Sequence, residues 1–372
     1  MKPHLPITLL LVTAAGAPVR AVEPPAVEVS TESQFSSDIT LTQSTASWFD
    51  QAGPWNWNVS ISGATTGIDY QPVTENLFGY ATQLSESRVA GQASARYTLT
   101  PKLTALAGVS AYSGFANFQS VWINEFYQQS FAGLPGLEDP SPSGANGTFG
   151  LRWEYRAGTG FIESSVTRAH DVIAPGYDEV IDPDQGLVGV TPLRDQLNTV
   201  GWSVKFENIL TRRLRSQFEF RLAGQSESGL RLSGLAALNW AIAKNWVARF
   251  DTGYTTESPY EPLQTPRFRS GWAAVTLDRH LGEHWWVSVS GRGYSDNGVV
   301  QDSISFSTSA PAITAYQATL GIRGVWGRHS FKLSGGPYFT DYAPVDFSTL
   351  FFANLYRDRT YGVVQAAYRY GF

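Results

Sequence analysis

Apolar and polar residues alternate along the chain from Trp55 onward. In the stretch 55–63, Trp55, Trp57 and Val59 fall on one face of an extended chain, and the Asn and Ser residues between them fall on the other. The same split recurs in 89–99, 149–156, 200–206, 215–222, 316–326 and 331–339, and near residues 108, 164, 236, 250, 273, 289 and 365. A period of two is typical of β-strands with two unlike faces. We predict about fourteen strands of roughly the 9 to 11 residues that a tilted transmembrane strand needs, and the pattern also accommodates roughly 12 or 16.

The predicted connections alternate between short and long, except that the connection near 225–229 is short as well. Short ones fall at 101–102, 158–159, 207–213, 243–245, 278–283 and 327–329, and longer ones at 64–86, 115–146, 170–198, 257–267, 295–312 and 343–357. Tight turns at one end and long loops at the other are the layout of a transmembrane β-barrel. The sequence thus predicts an all-β fold, a transmembrane antiparallel up-and-down β-barrel. A β-propeller is the rival fold, but a blade needs four short strands in about 45 residues, where this chain has two long ones.

Composition narrows the class of protein further. Charged residues make up 16% of the chain, below the roughly 25% of soluble domains, while aromatic residues reach 13%. Beyond the N-terminal segment, no apolar run approaches the ~20 residues of a membrane-spanning helix. The chain has no Cys, which excludes disulfides, thiol nucleophiles and Cys-ligated zinc. Its net charge of -5 argues against a nucleic-acid partner.

The apolar face is predicted to contact lipid, because the polar face carries too many long charged side chains for an ordinary solvated surface. Aromatic residues of the apolar face concentrate near the short turns, where a girdle would meet lipid head groups. These residues are Trp55, Trp57, Trp153, Trp202, Trp240, Trp246, Trp285, Trp326 and Tyr370.

The last nine residues carry the sharpest motif. A terminal aromatic residue is preceded by hydrophobic residues at every second position, namely Val364, Ala366, Tyr368, Tyr370 and Phe372. In this motif the chain resembles Gram-negative outer-membrane β-barrel proteins. The resemblance implies that these residues form the signal read by the outer-membrane assembly machinery, and that the barrel lies in outer-membrane lipid. It covers the architecture of residues 55–372 and implies no particular cargo.

The N-terminal segment is predicted to be a targeting signal rather than part of the fold. Residues 1–21 have a basic start, an apolar stretch and a small-residue ending, as in a secretory signal peptide cut after Ala21. We therefore expect export through the periplasm. Residues 22–53 are predicted to be an irregular leader or plug, and residues 54–372 the barrel.

The polar face is predicted to line the lumen and to be mainly basic. Ten cations fall on it, against Glu154, Glu219 and Asp251: Arg96, Arg152, Lys205, Arg215, Arg221, Arg249, Arg292, Arg323, Lys332 and Arg369. Acidic residues gather in one predicted loop, at Asp178, Glu179, Asp182, Asp184 and Asp195, and in an earlier one, at Glu138 and Asp139. Rings of Arg and Lys favour anions in pores. The hypothesis is a porin-like channel for small, anionic or zwitterionic solutes, constricted by an acidic loop. The alternative is a lumen that ion pairs close.

Other motifs point to weaker alternatives. His280 to His284 matches the H-x-x-E-H zinc-peptidase pattern, but it contains Gly282 and lies in a predicted turn, where a helix is required. His170, with Ser164 and Ser165 nearby, is the candidate for an outer-membrane hydrolase. The run 335–337, Gly-Gly-Pro, interrupts a strand and could open the wall sideways, which resembles the long-chain fatty-acid transporters in outline, although a bulge that tunes curvature is the simpler interpretation. We expect no enzymatic activity, metal or cofactor.

Overall fold

The computed structural model describes residues 25–69, 83–115, 131–138, 141–226, 229–258, 267–298, 311–344 and 356–372. The predicted signal peptide lies outside these residues. Sixteen strands are present, and they are β1 Ala26–Phe35, β2 Ile39–Ala52, β3 Trp55–Asp69, β4 Gln83–Thr100, β5 Leu103–Gly114, β6 Ser143–Arg156, β7 Gly160–Asp182, β8 Gly186–Thr211, β9 Leu214–Gln225, β10 Gly229–Ala243, β11 Trp246–Glu257, β12 Phe268–Leu281, β13 Trp285–Asp296, β14 Ile313–Trp326, β15 His329–Tyr342 and β16 Arg359–Gly371.

The strands form one closed antiparallel barrel in which each strand pairs with its neighbours in the sequence. The barrel closes between β1 and β16, in a ladder that runs from Ala26 opposite Gly371 to Phe35 opposite Gly362. The predicted antiparallel barrel is therefore confirmed. The main estimate of fourteen strands is wrong, because it omits the two N-terminal strands, β1 and β2. The fourteen strands β3 to β16 correspond to the predicted set.

The prediction of an irregular leader or plug over residues 22–53 is wrong for β1 and β2, which are part of the wall. The alternation of apolar and polar residues did not reveal these strands, because Ser and Thr occupy the middle of their outward face. Thr31 and Ser33 on β1 lie opposite Ser44 and Thr42 on β2, and the two hydroxyl pairs are hydrogen-bonded at 3.0 and 3.1 Å. Each hydroxyl thus has a partner on the adjacent strand, although the positions lack the apolar residues that mark the other strands.

The outer face of the barrel is a belt of exposed apolar side chains. Residues two apart on a strand, and residues directly paired between strands, share a face. Leu320 is 65% exposed, and Ile61, Val109 and Phe149 are each 62% exposed. Soluble monomers rarely expose a contiguous apolar surface of this kind. An apolar outer face of this kind is the face that a membrane-spanning barrel presents to lipid.

The two ends of the barrel differ. We call the β1–β16 pairing the seam. At one end of the barrel, the turn end, β1 begins and β16 ends, and the strands are joined by the short connections 53–54, 101–102, 157–159, 212–213, 244–245, 282–284 and 327–328. The opposite end, the loop end, carries the remaining connections. Most of the predicted girdle residues lie near the turn end, with Trp55 and Trp285 opening their strands and Trp326 closing its own. Trp202 lies far from the turns, in the middle of β8, where its Nε1 donates to Ser164 Oγ at 3.0 Å.

The predicted long loop at 170–198 is instead the extension of the β7–β8 hairpin. Paired residues continue to Asp182 opposite Gly186, beyond the loop-end limit of the neighbouring strands. The segment 131–138 packs on this extension, since Val190 N donates to Pro135 O at 2.9 Å and the Tyr177 hydroxyl donates to Glu138 O at 2.5 Å. Among the described residues, no helix is long and apolar enough to cross a membrane.

Candidate functional site

All ten predicted cations lie on the inner face of the barrel. Each is on the strand face opposite the exposed apolar belt, and several are paired in register with one another or with inner-face polar residues, such as Arg152 with Glu163 and Arg292 with Gln317. The sequence pattern therefore placed these side chains on the correct face. Whether they select solutes is a separate prediction.

The inner face is not predominantly basic, and this part of the prediction is wrong. Acidic residues share the face in nearly equal number, and most were missed. The additional ones, by register, are Glu28, Glu32, Glu86, Glu163, Asp171, Glu207, Glu257, Asp278 and Asp296. Some lie on β1, which the pattern did not recognise, and others lie near strand ends that were assigned to loops. A selective site must therefore depend on where the charges lie, because their net excess is small.

Glu207 is the centre of the largest ion-pair network on the inner face. Its carboxylate lies 2.7 Å from Arg215 Nη2, 3.2 Å from Arg152 Nη2 and 3.0 Å from Lys205 Nζ. Arg152 also bridges to Glu163 at 3.3 Å. Three of the predicted pore cations thus form ion pairs with one carboxylate, whose side chain is only 7% exposed. This part of the wall, on β6 to β9, is electrostatically satisfied.

Two further predicted cations, Arg249 and Arg221, are also paired. Arg249 Nε lies 2.6 Å from Asp251 Oδ2, and Arg221 pairs with Glu219. A cation that the prediction did not include, Arg231, pairs with Glu257, with its Nε donating at 2.8 Å. Since the partners lie on the same or adjacent strands, these pairs belong to the wall itself.

The inner face at the turn end contains exposed cations of a different kind. Arg96, Arg323 and Lys332 are exposed, and within the described part of the chain no acidic side chain lies within ion-pair distance of them. Arg323 lies 4.4 Å above the ring of Trp286, and Trp286 stacks on His280 at 4.5 Å. Positive charge at this end of the barrel is therefore accessible to water.

The inner face changes character along the barrel axis. On β4, the inward residues Gln92, Ser94 and Arg96 are exposed, which shows that water reaches this wall. At the loop end, a buried apolar cluster lies on the inward side of several strands and contains Ile39, Ala64, Ile68, Leu84, Phe115 and Tyr361. The interior is thus wet toward the turn end and packed along part of its loop end.

The acidic hairpin residues whose side chains are described lie on the extended hairpin and do not constrict the lumen. Asp178, Glu179 and Asp184 are exposed on the extended β7–β8 hairpin, and Asp182 caps its turn, accepting from the backbone N–H of Asp184 at 2.8 Å. The predicted acidic loop that folds inward to constrict the lumen is therefore wrong, because the segment is a regular hairpin that continues the wall. The side chain of Asp195 and the whole of Asp139 lie outside the described residues.

The two catalytic alternatives are not assembled. His280 is the penultimate residue of β12, with its ring stacked on Trp286, whereas His284 lies in the turn with its ring 6.1 Å from that of Trp326. The prediction that H-x-x-E-H forms a turn is confirmed. His170 bonds to Asn198 Oδ1 at 3.0 Å, and Ser164 lies six residues away along the extended strand, about 20 Å distant. That separation is too large for nucleophile and base.

The run 335–337 does not open the wall. The β14–β15 ladder skips Ala318 and Thr319, as expected beside a proline that cannot donate a hydrogen bond. However, a Cβ placed on Gly336 would lie 2.0 Å from Ala318 O, so the two strands remain in contact. The register is the same on both sides of this gap, with Gln317 opposite Tyr338 and Leu320 opposite Gly335, so the predicted bulge is wrong as well. The run is a short break in the hydrogen bonds of a closed wall.

Comparison with known proteins gives the fold class. No family model matches the chain, and no curated protein matches it by sequence. Among solved structures, a bacterial polysaccharide outer membrane secretin has a TM-score of 0.50 and 10% identity, with 95% of this chain and 100% of that chain covered. CdiB from Acinetobacter baumannii has a TM-score of 0.54 and 8% identity, with 94% of this chain and 61% of that chain covered. The chain has the fold of an outer-membrane β-barrel.

Another match is the CymD monoaromatic hydrocarbon channel, with a TM-score of 0.46, 9% identity, and 95% and 90% of the two chains covered. The resemblance stated from the C-terminal motif is confirmed at the level of class by the secretin and CdiB matches, which at 10% and 8% identity show the fold and nothing about cargo.

The C-terminal motif lies where the outer-membrane barrel closes. Val364 and Tyr368 are 42% and 46% exposed and share the outward side of β16 with Ala366 and Tyr370; Phe372, the residue after β16, is 55% exposed. The backbone N–H of Phe372 donates to Pro25 O at 2.7 Å, so the last residue is bonded to the residue that precedes β1. The predicted shared face is confirmed, while its recognition by an assembly machinery stays a prediction.

Proposed function

We propose that this protein is a channel for the passive passage of small polar solutes across an outer membrane. The observation that carries the proposal is the wet inner wall of a barrel with sixteen strands. Barrels of about 8 strands are filled by their own side chains, whereas those of about 16 to 18 leave an aqueous channel. Exposed Gln92, Ser94 and Arg96 are the polar lining that such a channel needs.

The charge preference proposed for this channel depends on which charges are unpaired. Glu207 neutralises the cations around it, so β6 to β9 present little net charge to a solute. Arg96, Arg323 and Lys332, which have no ion-pair partner among the described residues, supply positive potential at the turn end. Small anionic or zwitterionic solutes are therefore the favoured class.

A barrel that conducts nothing is the second candidate, and two observations favour it. The Glu207 network links four strands across the inner face, and the cluster around Ile39 and Tyr361 fills part of the interior at the loop end. Such a barrel would act as a scaffold or binding surface. An enzymatic role is not part of the proposal, since His170 and Ser164 lie far apart.

The proposed location follows from two features. The apolar belt requires lipid, and the C-terminal face of Val364 to Phe372 has the form of the outer-membrane assembly signal. The proposed partners are therefore outer-membrane lipid and the assembly machinery, reached by export through the periplasm.

Single-channel recording tests the proposal directly. The mature chain, refolded in detergent and verified as a folded barrel by circular dichroism and heat-modifiable gel migration, would be added to a planar bilayer across a KCl gradient. Discrete conductance steps with a reversal potential on the anion side are expected. A silent bilayer from verified folded protein would refute the channel and favour the closed barrel.

A further inference from the structure

Four inward side chains form a continuous row near the turn end of the barrel. His280 on β12 lies opposite Trp286 on β13, Trp286 opposite Arg323 on β14, and Arg323 opposite Lys332 on β15. Directly paired residues share a face, so all four side chains lie on the inner wall. The row brings two aromatic rings and two cations together in the wet part of the interior.

The aromatic half of the row fixes the position of Arg323. The rings of His280 and Trp286 are stacked, with centroids 4.5 Å apart and an interplanar angle of 19°. The guanidinium carbon of Arg323 lies 4.4 Å from the centroid of Trp286. A cation over an indole face is attracted to it, which restrains the side chain. The contact uses none of the guanidinium N–H groups, and none of them has a hydrogen-bond partner among the described residues.

The cationic half of the row is unusual because two like charges face each other. Arg323 and Lys332 occupy directly opposite positions, an arrangement that destabilises a sheet. Both are exposed, and among the described residues neither has a carboxylate within ion-pair distance. Asp278, two residues before His280 on β12, interacts electrostatically with both and also with Arg249. Other inner-face cations, such as Arg215 and Lys205, are instead bonded to Glu207.

A ligand would reach the pair from the lumen, because the side chains of Arg323 and Lys332 are both exposed. On the loop side of the row, the next inward residues Ser288, Gly321 and Ser334 pack together, since a Cβ on Gly321 would lie 2.5 Å from Ser288 Oγ. An oxyanion on the lumen side of the pair could accept hydrogen bonds from the planar guanidinium of Arg323 and from the ammonium of Lys332. Its negative charge would also remove the repulsion between the two cations.

We propose that Arg323 and Lys332 form an oxyanion subsite that binds the phosphate or carboxylate group of a passing solute. The inference rests on the proposed channel function and assigns its anion preference to these two residues, rather than to the ten inner-face cations together. Trp286 acts as a positioning residue by holding the guanidinium of Arg323.

Inorganic phosphate is the probe that tests the subsite. In planar bilayers, phosphate is expected to reduce the chloride current of the wild-type barrel, and Arg323→Gln or Lys332→Gln to weaken that block about ten-fold, the loss of one charge-assisted contact. Arg249→Gln is the matched control, because it removes one inner-face cation of the paired class. Lys332→Arg, which keeps the charge, should retain the block.

Two results would overturn the subsite. One is a conducting wild type that phosphate does not block, and the other is equal block of wild type and the Arg323→Gln/Lys332→Gln double variant. If the wild type is silent, the channel proposal fails, and phosphate is instead added to the folded barrel in detergent while its unfolding temperature is recorded. A rise that both single variants abolish supports the subsite on its own, and no rise refutes it. Since both substitutions remove a repulsion, neither should prevent folding.

Discussion

The Arg359 guanidinium forms an ion pair with the Asp38 carboxylate across the seam at which the barrel closes. Its Nε and Nη2 donate to Asp38 Oδ2 at 2.9 and 2.8 Å, although the two residues lie 321 positions apart. Asp38 lies in the turn between β1 and β2, and Arg359 is the first residue of β16. Both are nearly buried, with side-chain exposures of 9% and 5%. This ion pair fastens the loop end of the seam.

Removal of Arg359 should destabilise the barrel. Breaking a buried ion pair by removing one partner typically costs about 3 kcal/mol or more, since the remaining charge stays buried. Arg359→Gln is therefore expected to lower the unfolding midpoint in urea, measured by circular dichroism. Arg357→Gln is the control, because Arg357 contacts the same carboxylate at 2.7 Å but is 41% exposed, and its loss should cost below about 1 kcal/mol. Equal midpoints for the two variants would contradict this role.

The ion pair between Asp38 and Arg359 should also make the stability of the barrel depend on pH in the acid range. Burial acts to raise the pKa of Asp38, but the hydrogen bonds and charge of Arg359 outweigh it and lower the pKa to about 2 from an ordinary value of 3.8. A carboxyl group with a lowered pKa stabilises the fold fully above its unfolded value and loses that contribution as the pH falls through its folded value. The stability difference between wild type and Asp38→Asn should thus be constant above about pH 5 and shrink between about pH 4 and pH 2. A difference that shrinks near neutral pH would point to another group.

Neutralising Glu207 should affect both stability and selectivity. Glu207→Gln leaves Arg152, Lys205 and Arg215 without their shared counter-charge, so a loss of about 3 kcal/mol is expected in urea unfolding. In a conducting barrel, the reversal potential should move toward the anion side. Glu219→Gln is the control, since its partner Arg221 is 57% exposed and the pair contributes little. Unchanged stability in Glu207→Gln would mean that the network is not structural.

The outward hydroxyl pair of Thr31 and Ser44 should show strong coupling. In lipid, a hydroxyl without a partner is left unsatisfied, so Thr31→Val or Ser44→Ala alone should cost about 1 kcal/mol. The double variant removes both groups and should be close to wild type. A double-mutant cycle of urea unfolding in lipid vesicles measures this directly. Additive losses would show that the hydroxyls do not depend on each other.

The C-terminal aromatic residue should matter for assembly more than for stability. Phe372→Ala is expected to reduce the amount of barrel recovered in outer membranes by a large factor, while the refolded protein keeps its unfolding midpoint. Phe331→Ala, which removes an outward aromatic residue of β15, is the control. Normal recovery of Phe372→Ala in cells would refute the assembly signal.

Most of the wall could be predicted because each lipid-facing strand carries its own pattern. Val59 and Ile61 on β3, or Leu320 and Ile322 on β14, mark a face without reference to any neighbour. The strands β1 and β2 could not be found in this way, because Thr31, Ser33, Thr42 and Ser44 replace the apolar residues and satisfy one another only after the strands pair. Ser/Thr alternation beside an aromatic residue such as Trp48 is the signal that could have revealed them.

The candidate site was predicted in part for a similar reason. The face of each inner cation follows from the period of two, so Arg152, Arg323 and Lys332 were placed correctly. Their partners depend on register between strands that the sequence does not specify. Glu207 lies 55 positions from Arg152, and no spacing rule connects them.

The sequence by itself determined the class of this protein, because alternation, aromatic ends and the C-terminal motif are local properties of each strand and of the chain terminus. Only the tertiary structure decided the number of strands, the closing pair of Asp38 and Arg359, and which cations remain unpaired. The physical reason is that charge pairing acts through space, between residues that the register of the strands brings together. A row such as Trp286, Arg323 and Lys332 exists only once the register of the closed barrel is set.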